Sequence, residues 1–145
     1  MATSDQAGPG VLTEIDHVAV AVRDLDAAIG WYRQVLGAEL DHREVVESDG
    51  VEEAMLAVAQ SWVQLITPTH PGSTVARFLD RRGEGLHHVA YRVDDCAAAL
   101  AAAVAAGARP VDAVPRPGGR GTTVAFLHPS SAFGTLIELV QPPPT

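Results

Sequence analysis

The sequence predicts an α+β fold built from two tandem copies of one β-α-β-β-β unit. An internal repeat is the first sign, because the stretch Ile15–Leu25 (IDHVAVAVRDL) is matched by Gly85–Asp95 (GLHHVAYRVDD). Each copy then continues as a helical pattern that stops at a glycine, Gly37 or Gly107. The interval from His17 to Gly37 and the interval from His88 to Gly107 agree to within one residue. Extended segments follow each helix, which completes the unit.

Side-chain periodicity predicts each element of the first copy. Residues 15–22 alternate as a strand that places His17 on one face, and Asp24 is positioned to cap the helix that ends at Gly37. The turn Ser48–Gly50 separates the first two of three extended segments, which are predicted at Glu39–Glu47, Val51–Ala59 and Ser61–Thr67.

The second copy follows a connector with a short helix around VARFLDRRGEG. It is predicted as a strand Leu86–Val93, a helix Cys96–Ala106 and extended pieces at Arg109–Val114, Thr122–His128 and Thr135–Gln141. The expected organisation is therefore a disordered leader (1–13), one domain (14–141) and a tail (142–145). The domain divides into modules at about 14–68 and 86–141, joined by the connector 69–85.

Bulk composition excludes several classes of function. The chain has 145 residues, 47% apolar and 19% charged, which is an ordinary globular balance. Its net charge of −8 and pI near 5.0 argue against nucleic acid or an anionic membrane as a partner. The first ten residues have no signal-peptide pattern, so we expect a cytoplasmic protein. The single cysteine, Cys96, is expected to be structural.

Four possible metal ligands occupy matched places in the two copies. His17 and His88 coincide in the repeat, while Gln64 and Glu138 lie on the last strand of each copy among apolar neighbours. A lone strand histidine is more often hydrogen-bonded core, but four matched donors favour a metal, which would also compensate a buried carboxylate. His87 faces the other side of its strand, so only His88 joins the set.

Glu53 is a fifth residue with two possible roles. It lies in GVEEAML on the face of Met55, where burial among small apolar side chains would give it the raised proton affinity of a general base. A solvated glutamate on an edge strand explains the same pattern equally well. Surface positions are expected for the three histidines in or beside loops, His42, His70 and His128.

These residues resemble the vicinal oxygen chelate superfamily and, within it, the methylmalonyl-CoA epimerases. The resemblance is carried by IDHVAVAV, HREVVESDGVEEAML, STVARFLDRRGEGLHHVAYRVDD and GGRGTTVAFLHP leading to LIELVQ, and it covers about residues 14–141. The chain departs from the pattern at Ser130, where many epimerases have a lysine, and at Phe133, where they have glycine.

The resemblance implies a cupped eight-stranded sheet around one divalent metal per chain, and a homodimer. It assigns His17, Gln64, His88 and Glu138 as ligands and Glu53 as the catalytic base. Cobalt is the expected ion in vitro, and manganese, nickel, zinc and magnesium are further candidates.

The implied reaction interconverts (2R)- and (2S)-methylmalonyl-CoA by removal of the C2 proton through a metal-stabilised enolate. Glu138 or a metal-linked water is the candidate for the second proton transfer. The CoA tail needs a local positive field, which we expect from Arg116, Arg120 or the connector arginines Arg77, Arg81 and Arg82.

Other functions on this fold remain alternatives. An ethylmalonyl-CoA epimerase differs by only one substrate methylene. Glyoxalase-like lyases usually place a glutamate where this chain has Gln64, and extradiol dioxygenases would leave Gln64 without a role. A metal-free binding protein of the resistance type is the third alternative, and it lacks the ligand set.

Overall fold

The structure is a computed structural model, and it describes residues 11–145; the first ten residues of the predicted leader lie outside this range. The described residues form three helices, none long and apolar enough to cross a membrane, and eight strands. The elements are β1 (Leu12–Ala21), α1 (Leu25–Leu36), β2 (Glu39–Val46), β3 (Val51–Val58), β4 (Ser61–Pro68), α2 (Thr74–Arg82), β5 (Gly85–Val93), α3 (Cys96–Ala105), β6 (Arg116–Pro117), β7 (Thr123–Leu127) and β8 (Ile137–Gln141).

The order β-α-β-β-β occurs twice, with α2 in the connector, so the predicted α+β fold is confirmed. Hydrogen-bonded neighbours give an eight-stranded sheet with the order β2-β3-β4-β1-β5-β8-β7-β6. The described residues divide into two compact units: an N-terminal unit, Asp16–Val89, and a C-terminal unit, which contains Ala90–Thr145 and residues 11–15. The strands β1 and β5 each run through both units.

In the N-terminal unit, α1 begins and ends where the sequence predicts. The Asp24 carboxylate accepts a hydrogen bond from the Ala27 amide at 3.0 Å, and Gly37 ends the helix with a φ of 68°. Ile29 packs in the core, whereas Leu36 in the last turn is 61% exposed.

The strand register of the N-terminal unit puts its buried polar side chains on one face of the sheet. β4 pairs parallel with β1 and antiparallel with β3, and β3 pairs antiparallel with β2. Alternation puts His17 and Ala19 on one face of β1, and the pairing of Ala19 with Gln64 continues that face onto β4. Met55 and Glu53 carry the same face onto β3.

In the C-terminal unit, α3 covers β7 and β8 through Cys96, Ala99 and Leu100. The extended piece expected at Arg109–Val114 is wrong, because only Pro110 makes an isolated bridge there. Prolines at 110 and 115 remove the amide donors that a ladder needs. The Asp112 carboxylate instead accepts a hydrogen bond from the Phe126 amide at 2.8 Å.

Candidate metal and acid-base site

Two buried histidines of the N-terminal unit face each other across neighbouring strands. His17 lies on β1 and His88 on β5, and their Nε2 atoms are 3.2 Å apart. The rings meet edge to face with centroids 5.3 Å apart. The sequence repeat therefore brings the two imidazoles together, as predicted, with the same ring nitrogen of each directed at the other.

The second nitrogen of each ring is held by a neighbouring side chain. His17 Nδ1 lies 2.7 Å from the carboxylate of Asp16, which is buried. That contact favours the proton on Nδ1 and leaves an Nε2 lone pair, the arrangement found in histidines that bind metals. His88 Nδ1 lies 2.8 Å from Nδ1 of His87, whose ring also packs edge to face on Phe78.

The third predicted ligand, Gln64, contacts a carboxylate of the neighbouring strand β3. It is buried on β4, and its Nε2 donates a hydrogen bond to Glu53 Oε1 at 2.9 Å. Within residues 11–145 no hydrogen-bond donor reaches Gln64 Oε1. A buried carbonyl oxygen without a donor is costly, and a cation is a partner that removes the cost. The donor set of this unit therefore fits a divalent metal.

Glu53 is buried on β3, with only 3% of its surface exposed. The alternative of a solvated edge-strand glutamate is therefore wrong. Its neighbour Glu52 faces the other side of the sheet, where it binds Arg43 at 2.8 Å. The Gln64 amide donates to the Glu53 carboxylate, and burial keeps water from competing for it.

Two further residues beside Glu53 were missed by the sequence reasoning. His42, expected at a loop surface, lies within β2, and its Nε2 is 2.6 Å from Glu44 Oε1. Glu44 is the direct cross-strand partner of Glu53. The predicted turn at residues 48–50 does not give this pairing, because the connection runs from 47 to 50 and shifts the register so that Val46 pairs with Val51 and Glu44 with Glu53.

Glu138 lies on β8 in the C-terminal unit and is 6% exposed. It pairs with Phe126 of β7, and Val140, two residues later, packs with Ala90 and Val124. His17, His88 and Glu138 are thus three buried side chains of the types that bind divalent metals.

The remaining predicted residues lie on β6, on loops and on the connector helix. Arg116 is bound to Asp112 at 3.0 Å, and Arg120 has a positive φ of 57°. Phe133 is fully exposed and has a φ of 55°, while the Ser130 amide donates to the ring of His128. Of the connector arginines, Arg77 donates to the Gly72 carbonyl and Arg82 lies over the Phe78 ring.

The sequence matches a known family model over most of its length. The model of the glyoxalase/bleomycin resistance protein/dioxygenase superfamily aligns with residues 16–126. This chain belongs to that superfamily. Its membership agrees with the duplicated β-α-β-β-β order and with the paired histidines on β1 and β5.

Several relatives within the superfamily are epimerases of acyl-CoA esters. The chain is 37% identical to the ethylmalonyl-CoA/methylmalonyl-CoA epimerase of Cereibacter sphaeroides, over 90% of this chain and 99% of the relative. It superposes on methylmalonyl-CoA epimerase from Mycobacterium tuberculosis with a TM-score of 0.90 and 40% identity, covering 97% and 96% of the two chains. A Streptomyces coelicolor methylmalonyl-CoA epimerase variant in complex with 2-nitronate-propionyl-CoA gives 0.86 and 40%, covering 90% and 98%.

Proposed function

We propose that this chain is a metal-dependent epimerase that interconverts (2R)- and (2S)-methylmalonyl-CoA. The observation that carries the proposal is the position of Gln64. Its Nε2 donates to the buried Glu53 carboxylate, and its own buried Oε1 is left to bind a metal. The Gln64 side chain thus holds the base, Glu53, next to a metal ligand. Proton abstraction beside a carbonyl requires both a base and a Lewis acid. The named relatives, which are methylmalonyl-CoA epimerases, support the same reaction.

The proposed metal ligands are His17, Gln64, His88 and Glu138. The first three are buried in the N-terminal unit, and the Asp16 contact orients His17 as a ligand. For Glu138 the support comes from strand alternation. Ala90 shares a face of β5 with His88, Val140 shares a face of β8 with Glu138, and these two apolar residues pack together. Cobalt is the ion that we propose.

The proposed chemistry starts at C2 of the substrate, whose proton is acidic because a thioester and a carboxylate flank it. A divalent ion bound by the four ligands would supply Lewis-acid stabilisation of negative charge on the substrate oxygens. Glu53 takes the proton on one face. Its carboxylate is held in place by the Gln64 amide and by the β3 backbone, so little reorganisation precedes the transfer.

Inversion requires a proton to return on the opposite face of C2. Glu138 is our candidate donor, and a water molecule is the alternative. The residue is buried and lies on a strand of the C-terminal unit, whereas Glu53 belongs to the N-terminal unit.

We further propose that arginines hold the CoA tail and that the enzyme works as a cytoplasmic homodimer. Arg120 and the connector residues Arg81 and Arg82 are the favoured contacts, because Asp112 already compensates the charge of Arg116. We also propose one domain over residues 14–141, as the sequence predicts. Residues 12 and 13, expected in the disordered leader, instead belong to β1, which begins at Leu12.

Ethylmalonyl-CoA is a second candidate substrate, since the relative from Cereibacter sphaeroides is named for both substrates. One extra methylene changes binding by only about 1 to 3 kcal/mol in an apolar environment. We therefore expect activity on both esters, with a modest preference.

The test is to incubate the cobalt-loaded protein with a single methylmalonyl-CoA epimer and to measure the other epimer over time. Conversion that stops on addition of a chelator and resumes with cobalt would support the proposal. An unchanged epimer ratio in the loaded protein would refute it, and equal conversion with and without metal would refute the metal dependence.

A further inference from the structure

We propose that His42, Glu44 and Glu53 form a second divalent-metal site, selective for zinc, whose occupation inhibits the enzyme. The nitrogen and oxygen donors of these three side chains all lie within 4.8 Å of one another. Neither His42 nor Glu44 has a role in the proposed catalytic chemistry. The inhibitory effect rests on the proposed function, because it depends on Glu53 as the base.

Strand register builds the cluster. Glu44 and Glu53 are directly paired between β2 and β3, so their carboxylates project from the same face. The register of β2 shifts between Leu40 and His42, which leaves Asp41 as an extra residue. Such a bulge redirects the side chains around it, and here it sets His42 opposite Met55 on the face of Glu53.

Charge favours a cation at this position. Two carboxylates paired directly across neighbouring strands repel each other. Arg43, the cation of β2, lies on the opposite face, where it binds Glu52 and Asp26 at 2.8 and 2.7 Å. A divalent ion between Glu44 and Glu53 offsets this repulsion, because its charge is close to both oxygens.

The donor types select zinc over the harder ions. One imidazole nitrogen and two carboxylate oxygens match the three-ligand sites that zinc uses with an open fourth position, whereas magnesium and calcium prefer oxygen alone. Tetrahedral ligands at about 2.0 Å from zinc lie about 3.3 Å from each other. The side chains of His42 and Glu44 are 37% and 34% exposed, so they have the freedom to close on an ion.

Zinc in this cluster would remove the base. A Glu53 oxygen bound to the ion can no longer accept the C2 proton, while the Gln64 amide still holds the other oxygen. Because His42 and Glu44 are partly exposed on β2, the ion reaches the cluster from solvent without displacing the proposed ligands His17 and His88.

The binding test is a zinc titration of the metal-free protein against a chromophoric chelator. We expect two zinc ions per chain in the wild type and one in both His42→Ala and Glu44→Gln. The matched controls are His70→Ala and Glu47→Gln, exposed residues of the same types outside the cluster, which should still bind two. A wild type that binds fewer than two ions, or cluster variants that keep two, would overturn the proposal.

The activity test uses cobalt-loaded proteins, each compared with itself before and after addition of excess zinc. Wild type and His70→Ala should lose activity by on the order of a hundredfold, which is what a general base contributes. His42→Ala and Glu44→Gln should keep most of their own rate. Equal inhibition of all four proteins would place the zinc effect at the first metal site and refute the second. If the cobalt-loaded wild type has no rate before zinc, the proposed function fails, while the titration still decides the zinc site.

Discussion

Glu53 and Glu52 are neighbours on β3 that face opposite sides of the sheet, so substitution of each isolates one carboxylate. Glu53→Gln should keep metal and fold but lower the epimerisation rate by at least about a hundredfold, because the amide cannot accept the proton. Bound metal by elemental analysis and initial rate with a single epimer are the two measurements.

Glu52→Gln is the matched control, and it should retain most activity because its partner is the surface residue Arg43. If Glu53→Gln epimerised at the wild-type rate, the assignment of the base would be wrong. If it lost metal together with activity, its role would be to position Gln64 instead.

Asp16 is the residue that orients His17. Asp16→Asn preserves the shape of the side chain but removes the charge that favours the proton on His17 Nδ1. We predict that affinity for the divalent ion falls by about 10 to 100 times, as for other residues that support metal-binding histidines. A competition titration with a chelator measures this. Unchanged affinity would show that backbone geometry alone orients the imidazole.

Cys96 predicts a pH-dependent reactivity. Burial, and then the nearby Glu138, raises the pKa of the thiol from 9.0 to about 11. The native protein should therefore react slowly with a thiol reagent at pH 8, and the rate should rise with pH up to about 11. The unfolded chain loses this proton at lower pH, so between about pH 9 and 11 rising pH should destabilise the fold. Labelling equally fast in the native and urea-unfolded protein would contradict the burial.

At the scale of elements, the two modules share one device for starting a helix. Asp24 accepts from the Ala27 amide at the start of α1, and Asp95 accepts from the Ala98 amide at the start of α3. Asp24→Ala should lower the free energy of unfolding by about 1 kcal/mol, whereas Asp24→Asn should change it little.

Urea unfolding of the two Asp24 variants tests this, and Asp95→Ala provides the equivalent change in the second module. Equal stability of Asp24→Ala and Asp24→Asn would show that the cap contributes nothing beyond helix propensity.

Periodicity predicted most elements because their apolar faces are continuous. The strand that carries His17 alternates cleanly, and the helix after it has both an aspartate cap and a glycine stop, so its limits follow from local chemistry. The expectation failed at Arg109–Val114, where a side chain replaces a ladder partner. Such a replacement depends on tertiary position, and no local pattern encodes it.

For the molecule as a whole, duplication made much of the site predictable. Matched positions identify His17 and His88, and the structure brings their rings into contact. Asp16 and Glu44 were not identified: the contact of Asp16 with His17 depends on side-chain orientation, and the pairing of Glu44 with Glu53 depends on strand register. Sequence alone also left Glu53 between two roles; its burial excludes the solvated one, and the role of base is our proposal.

Proton exchange at C2 tests the central claim most directly. Cobalt-loaded protein is incubated with one methylmalonyl-CoA epimer in deuterated water, and deuterium at C2 is followed by mass spectrometry together with the epimer ratio. The account predicts metal-dependent incorporation of deuterium that accompanies inversion, and loss of both in Glu53→Gln. The absence of exchange above the buffer rate in the metal-loaded wild type would contradict it.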